Sequence, residues 1–415
     1  MSRNRIHVLD NGLVLIAEEM PWCESVSFVF MIPSGSVRDP EDRIGLANLT
    51  CEMSARGAGD LDNKAFLQTL ENLGVESGEG AAQPYTTYSA SLVADKFRKT
   101  LALYADLIRR PRFPEEDLQI VKQIALQDLQ GIEDEPSRKV RNEIRRIFFP
   151  HPWGRSVLGT AEGIQAITMD DIREVHQKYF CPNGAILAVA GRIDWDMLKS
   201  ECERLFGDWD PLPREEIVSE DRKQYVSHLD QDSAQTHFYL ASPALPAVHP
   251  DYMKAVCSVN ALSGGMSSRL FTELREKRGL CYSVSSGYYT RKDSGAVITY
   301  CGSRTNRAQE SLDVILEEMD KLYAQGINQN ELELLKIRSK CSLVMQQEST
   351  VNRASSLVRD WYFLKKIRTR EEIEEKINAL SCESVNEFLA ASPVKTYRLA
   401  SIGPDPLHID PLRLG

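Results

Sequence analysis

Two segments of the chain alternate between apolar and polar positions with a period of two. They are SVSFVFMI (25–32) and QTHFYLA (235–241), and such alternation is typical of strands that bury one face. A helical period follows RPRFPEEDLQIVKQ (110–123), where a single apolar stripe contains Leu118, Val121, Ala125 and Leu129. Strands mixed with helices in this way predict an α+β fold, with helices packed on one face of a sheet.

The second half of the chain repeats the elements of the first half at a nearly constant offset. Four pairs of positions carry this offset, which lies between 212 and 214: Phe113 and Ile327, Leu118 and Leu332, Met53 and Met266, Gly191 and Gly403. The offset predicts a duplicated fold, and the alternative is a chance likeness between two generic α+β halves. Prolines and charges cluster at 209–224. We therefore expect domains at 1–210 and 229–415, joined by a linker at 211–228.

Composition and charge narrow the classes of protein. The 415 residues are 42% hydrophobic and 27% charged, with a net charge of −10, as in folded globular proteins. No run of five basic residues occurs, which argues against nucleic-acid binding, and no apolar run approaches the length of a membrane span. Asp10, Asn11 and Glu18 interrupt any signal-like segment. The nine scattered cysteines are expected to be reduced, so a cytoplasmic location is predicted.

Several segments, in order, resemble one family of metallopeptidases. They are GSVRDPEDRIGLANLTCEMSARG (35–57), HPWGRSVLGTAEGIQAIT (151–168) and NALSGGMSSRLFTELREKRGLCYSV (260–284). The chain is similar over essentially its whole length to the insulinase/pitrilysin-like, inverted-zincin family, which includes the mitochondrial processing peptidase. The resemblance implies two homologous domains that form half of a clamshell. Each domain would hold a mixed, mainly antiparallel sheet.

The family's zinc motif is degenerate in this sequence. H-x-x-E-H places two imidazoles on one helix face, with a glutamate as general base on a zinc-bound water. By the resemblance, Asn48 and Glu52 stand at the two histidine positions, Cys51 stands at the base position and Asp128 at the later glutamate position. Cys51 and Glu52 lie about 100° apart around a helix, so they cannot both replace the histidines. We expect no metal in this chain, with Asn48, Cys51, Glu52 and Asp128 as degenerate positions.

The second half retains other residues of the family's machinery. By the resemblance, Arg275 and Tyr282 are the catalytic pair that holds substrate and stabilises the oxyanion. The alternative for Arg275 is a cation that complements a helix dipole, and the alternative for Tyr282 is a half-buried strand tyrosine. Substrate binding is assigned to Gly264, Gly265, Met266 and Ser267, for which the alternative is a helix-entry turn. Residues 78–97 resemble a substrate-pairing edge strand, although Pro84 is expected to interrupt its hydrogen-bonding row, and an ordinary hairpin is the alternative.

The resemblance implies a peptidase subunit that works only with a partner. The partner is expected to be a homologous chain with H-x-x-E-H and its own zinc, and the substrate a peptide. The alternative is a non-catalytic homologue that binds peptides or acts as a scaffold. A third possibility is an active peptidase with an unusual site.

Overall fold

The computed structural model describes residues 3–391, 394 and 396–415, which form two compact units. The first unit comprises the chain up to Gly131 together with Arg155–Ser219 and Gln346–Ile367. The second unit comprises Ile132–Gly154, Glu220–Met345 and the chain from Arg368 onward. Both units combine a sheet with helices, which confirms the predicted α+β class.

The first unit is built on a six-stranded sheet with the order β1-β2-β8-β3-β7-β6. Its strands are β1 (Arg3–Val8), β2 (Val14–Glu19), β3 (Ser25–Ile32), β6 (Glu76–Ala81), β7 (Thr86–Val93) and β8 (Ile186–Gly191), and a small separate ladder joins β4 (Gly57–Ala58) to β5 (Leu61–Asp62). Its helices are α1 (Leu46–Ser54), α2 (Asn63–Asn72), α3 (Phe97–Arg109), α4 (Leu118–Glu133), α6 (Ala161–Ala166), α7 (Met169–Tyr179), α8 (Trp195–Phe206) and α12 (Thr350–Leu364).

The second unit is built on a five-stranded sheet with the order β11-β12-β10-β13-β9. Its strands are β9 (Val226–Asp230), β10 (Gln235–Ala244), β11 (Cys281–Thr290), β12 (Gly295–Arg304) and β13 (Arg398–Gly403). Its helices are α5 (Pro136–Phe148), α9 (Tyr252–Ser263), α10 (Ala308–Gln325), α11 (Gln329–Gln347), α13 (Arg370–Asn378) and α14 (Cys382–Ala391), together with a π-helix at Phe271–Lys277.

The two sheets have the same topology, which confirms that the fold is duplicated. Read in reverse, the strand order of the second sheet is β9-β13-β10-β12-β11. It matches β2-β8-β3-β7-β6 of the first sheet, because the strands at each position have the same rank along the chain. The one parallel pair between equivalent strands also recurs, as β2 with β8 and β9 with β13. The proposed pairing of Met53 with Met266 is wrong, because Met53 lies inside α1 and Met266 in the turn after α9.

Each sheet also carries a helix from the opposite half of the sequence. In the first unit, Phe28 and Phe30 of β3 face a core shared with α3 and α8, whereas the alternate residues Val29 and Met31 pack with α12. In the second unit, α5 packs on β9, β10 and β13 in the same manner. The units therefore differ from the predicted division into consecutive halves, because 132–154 belongs to the second unit and 346–367 to the first. That homologous domains span 1–210 and 229–415 stays a prediction. Within the described chain, no helix combines the length and apolarity needed to cross a bilayer.

Candidate functional site

A buried carboxylate fixes the start of α1, the helix that carries the degenerate metal positions. Asp39 accepts hydrogen bonds from the backbone N–H groups of Gly45 at 2.8 Å and Ala47 at 2.9 Å. These are first-turn donors that have no partner inside the helix. Burial raises the pKa of Asp39 to about 7, against the opposing effects of these hydrogen bonds and of the nearby Arg155. Asp39 thus fixes the start of α1, although burial of its carboxylate costs desolvation free energy.

The residue at the general-base position faces the core of the first unit. Cys51 is fully buried, and its thiol lies beside the hydroxyl of Tyr88. That hydroxyl in turn is 2.7 Å from the hydroxyl of Ser54. Burial raises the pKa of the Cys51 thiol far above neutrality, so the side chain is protonated. A protonated, buried thiol is neither a base nor a metal ligand, and in this position Cys51 fills space.

Glu52 belongs to a cluster of charges next to α1. Partial burial raises the pKa of Glu52, the guanidinium of Arg56 opposes the rise, and the carboxylate of Asp128 on α4 adds to it. The pKa of Glu79 on β6 is raised by desolvation and by the charge of Glu52. Asp128 itself is exposed and Asn48 is half-buried. The fold therefore brings Glu52 and Asp128 together, with Glu79 and Arg56 as additional members.

The donor set around Glu52 does not match the zinc chemistry of the family motif. The positions that hold imidazoles in H-x-x-E-H are an amide at Asn48 and a carboxylate at Glu52, and Cys51 is turned into the core. What remains is a group of carboxylates with one guanidinium, without the nitrogen ligands that zinc prefers in catalytic sites. The absence of zinc from this chain stays a prediction.

Strand β6 forms one edge of the first sheet, beside the Glu52 cluster. It pairs on one side only, with β7. The register from Glu76 to Ala81 is continuous, and Pro84 lies in the connection between β6 and β7. The expectation that Pro84 interrupts the hydrogen-bonding row is therefore wrong, and β6 presents an unbroken edge within the described residues.

A π-helix presents Arg275 in the second unit. The segment Phe271–Lys277 buries Leu274 and is capped by Arg278. Gly279 follows with a left-handed φ of 57°, as the sequence predicts for a terminating glycine. The guanidinium of Arg275 lies 4.9 Å from the ring centre of Phe271 and 5.1 Å from that of Tyr282. One of its N–H groups donates to the carbonyl oxygen of Tyr282 at 3.2 Å. The fold thus brings the two predicted catalytic residues into contact.

Tyr282 projects from an irregularity in the edge strand β11. The register with β12 shifts between Cys281 and Ser283, so Tyr282 is the extra residue of a β-bulge, a feature that re-aims side chains. Its side chain is 82% exposed. The alternative of a half-buried strand tyrosine is therefore wrong. An exposed aromatic ring held beside a cation is available to a ligand.

The predicted substrate loop lies between α9 and the π-helix. Gly264 caps α9 through its N–H bond to the Asn260 carbonyl oxygen at 2.6 Å. A Cβ atom on Gly265 would lie within 2 Å of the Arg338 guanidinium of α11, so glycine permits this close approach. Met266 and Ser267 are exposed. The loop is thus both a helix-exit turn and an accessible surface beside α11.

Several residues of these two regions escaped the sequence reasoning. Asp39 lies in the segment GSVRDP (35–40), and an aspartate a few residues before a helix is a recognisable capping signal. Glu79 and Arg338 carry no such signal, because their proximity to Glu52 and Gly265 arises from strand pairing and helix packing over tens of residues.

Most of the chain matches models of a single peptidase family. Residues 14–161 match the description "Insulinase (Peptidase family M16)", and residues 166–338 match "Peptidase M16 inactive domain". Among curated proteins, the chain is 27% identical to an uncharacterized zinc protease, YmxG, of Bacillus subtilis, with 96% of this chain and 98% of that protein covered. It is 25% identical to an uncharacterized zinc protease of Rickettsia bellii, with 96% and 97% covered.

Solved structures share the fold over nearly the full length. The peptidase M16 inactive domain from Pseudomonas fluorescens has a TM-score of 0.89 at 22% identity, with 98% of this chain and 99% of that chain covered. A protease from Helicobacter pylori has a TM-score of 0.87 at 18% identity, with 97% and 99% covered.

Proposed function

The chain belongs to the insulinase family of peptidases, family M16, without that family's H-x-x-E-H motif, and we propose that it is the zinc-free subunit of a two-chain peptidase. In this proposal its partner is a homologous chain with an intact H-x-x-E-H. The observation that carries the proposal is the contact between Arg275 and the exposed Tyr282.

The chemistry of this pair suits a substrate carbonyl. A guanidinium has five N–H donors, and Arg275 uses one of them on the Tyr282 carbonyl oxygen. Other N–H groups and the Tyr282 hydroxyl are available to donate to a peptide carbonyl oxygen. The same donors bind more strongly as negative charge develops on that oxygen, which is how an oxyanion is stabilised. Zinc held by the partner would supply the activated water.

Two further surfaces support peptide binding. The unbroken edge of β6 offers backbone groups to which an extended peptide adds as a strand. Apolar side chains are exposed on α11 and on the loop beside it: Met266, Ile337 and Met345 are 78%, 58% and 71% exposed. Exposed apolar groups of this kind are common at sites that bind other chains.

Reconstitution with a partner tests the proposal. The purified chain is mixed with an H-x-x-E-H-bearing M16 chain encoded in the same genome, and hydrolysis of an internally quenched peptide library is followed. We expect hydrolysis by the mixture and none by this chain alone. A matched mixture uses the partner with its motif glutamate changed to glutamine, and this mixture should be inactive. Hydrolysis by the partner alone at the rate of the mixture would refute the proposal.

A non-catalytic peptide-binding or scaffolding role is the second candidate. The apolar residues Ile337 and Met345 favour it, because they offer contact area without any reacting group. Sedimentation analysis and peptide titration of the chain without a partner distinguish the two roles. A stable homodimer that binds unfolded peptides, and whose peptide affinity does not change when the H-x-x-E-H chain is added, would favour the scaffold.

A further inference from the structure

The second unit contains an apolar cavity between its sheet and the helices α9, α10 and α14. The cavity has a volume of about 240 Å³ and is lined mainly by aliphatic and aromatic side chains, among them Val259, Leu262, Met319, Leu322 and Leu389. The cavity is partly open to solvent. An engineered apolar cavity of about 150 Å³ stays dry and binds benzene, so this cavity has room for a ring with a substituent.

One polar group on the cavity wall lacks a partner. Tyr397 is 2% exposed, and its hydroxyl has no hydrogen-bond partner among the residues that the structure describes. Buried donors without a partner are rare and costly. Among the described lining residues, the Tyr397 hydroxyl is therefore a buried donor whose missing partner a bound ligand would supply.

Two of the other hydroxyl groups of the wall, those of Tyr288 and Ser258, are already engaged as donors. Tyr288 donates to the carbonyl oxygen of Leu245 at 2.7 Å, and Ser258 donates to that of Lys254 at 2.9 Å. An apolar molecule with one acceptor atom satisfies both the apolar walls and the Tyr397 donor.

The wall also sets the charge of a ligand. None of the described lining residues is ionised at neutral pH, since the set contains only aliphatic, aromatic and hydroxyl side chains with one methionine. Burial raises the pKa of Tyr323 to about 12 and also raises that of Tyr397, so both hydroxyl groups remain neutral. A charged ligand would have to leave water without a counter-ion.

We propose that this cavity is a binding site for a small, neutral, mainly apolar molecule whose carbonyl oxygen accepts a hydrogen bond from Tyr397. The site is independent of Arg275 and Tyr282, and neither of these residues lines it. From the volume, the ligand has roughly ten non-hydrogen atoms.

A matched pair of probes tests the proposal. Acetophenone carries a carbonyl group where α-methylstyrene, which has nearly the same shape, carries a methylene group. Binding of each to the full chain is measured by titration with ligand-observed NMR. We expect saturable binding of both probes, and tighter binding of acetophenone. In Tyr397→Phe the affinity for acetophenone should fall about three- to tenfold, the value of one hydrogen bond, while that for α-methylstyrene should stay the same.

Two controls complete the test. Ala255→Leu fills the cavity from α9, since Ala255 lines it and is buried, and it should abolish the binding of both probes. Tyr397→Phe should fold and have an unchanged or higher Tm without ligand, because it removes an unpartnered hydroxyl. Failure of both probes to saturate the wild-type chain, or equal affinity of acetophenone for wild type and Tyr397→Phe, would overturn the proposal. Binding that survives in Ala255→Leu would overturn it as well.

Discussion

Arg275 and Tyr282 meet in the second unit through two contacts that depend on different parts of the tyrosine. The guanidinium donates to the backbone carbonyl oxygen of Tyr282 at 3.2 Å and lies 5.1 Å from the centre of its ring. The backbone contact orients the cation, and the β-bulge turns the ring outward. Two residues that are seven positions apart in the sequence thus form a single exposed group that combines a cation with a phenol.

Loss of either side chain should lower the activity of the reconstituted peptidase. Tyr282→Phe removes the phenolic donor but keeps the ring that packs on Arg275. Arg275→Lys keeps a positive charge but loses the planar set of donors. We expect kcat/KM, measured with a quenched peptide substrate, to fall at least about tenfold in each case, because each variant loses a donor to the developing oxyanion.

A neighbouring cation provides the control for these variants. Arg278 is exposed and lies 3.9 Å from Glu317, so Arg278→Lys should leave kcat/KM within about twofold. Equal losses in Arg275→Lys and Arg278→Lys would assign the effect to overall charge, and the role proposed for Arg275 would be abandoned.

The degenerate positions on α1 predict the metal content of the chain. After incubation with zinc and removal of the excess, the wild-type chain should contain far less than one zinc per molecule by mass spectrometry of the metal. Asn48 and Glu52 are both half-buried and four residues apart on α1. The variant Asn48→His/Glu52→His therefore places two imidazoles on one helix face and should bind zinc more tightly than wild type. One tightly held zinc in the wild-type chain would contradict the prediction.

Asp39 should make stability depend on pH. Its pKa is about 7 in the folded chain against an ordinary value of 3.8, so the folded state binds the proton more tightly than the unfolded state. The contribution of this group to the free energy of unfolding is therefore greatest below pH 4. It is lost as the pH rises towards 7, at up to about 1.4 kcal/mol per pH unit.

The comparison with Asp39→Asn isolates this effect. Asparagine does not titrate, and it keeps one acceptor oxygen for the N–H group of either Gly45 or Ala47, which donate to different carboxylate oxygens of Asp39. The free energy of unfolding of wild type, minus that of Asp39→Asn, should decrease between pH 5 and pH 7 in denaturant titrations. A difference that stays constant or increases over this range would show that the pKa of Asp39 is not raised.

A buried ion pair should stabilise α12 on the first sheet. Arg353 donates to one carboxylate oxygen of Glu18 at 2.8 and 2.5 Å, and both residues are at most 7% exposed. Arg353→Met leaves the Glu18 carboxylate buried without its cation and should lower the free energy of unfolding by about 3–5 kcal/mol. Glu18→Leu/Arg353→Met removes both charges and should cost less than Arg353→Met, as measured in urea.

An exposed pair is the matched control for that cycle. Arg370 and Glu374 form an i,i+4 pair on α13 at 2.7 Å, and Arg370→Met should cost no more than about 1 kcal/mol. If Arg353→Met were as mild as Arg370→Met, the Glu18 pair would not be what stabilises α12 in this position.

Much of the fold was predictable because it depends on local patterns. The alternation at 25–32 corresponds to β3 and that at 235–241 lies within β10, while the stripe from Leu118 to Leu129 lies on α4. The left-handed Gly279 and the loss of H-x-x-E-H were equally visible. The wrong pairing of Met53 with Met266 has a physical cause, because a constant offset cannot follow changes in loop length between the two halves.

The sequence by itself determined the α+β class, the duplication, the family and the absence of the zinc motif, since each depends on residue types at short, fixed spacings. Only the tertiary structure decided that α5 and α12 pack on the sheets of the opposite halves, that Cys51 faces the core, and that Glu79 lies near Glu52. The cavity beside Tyr397 was likewise visible only in the fold. These features depend on contacts between side chains that are distant in sequence. Such contacts form only when the whole unit is close-packed, so no short pattern in the sequence predicts them.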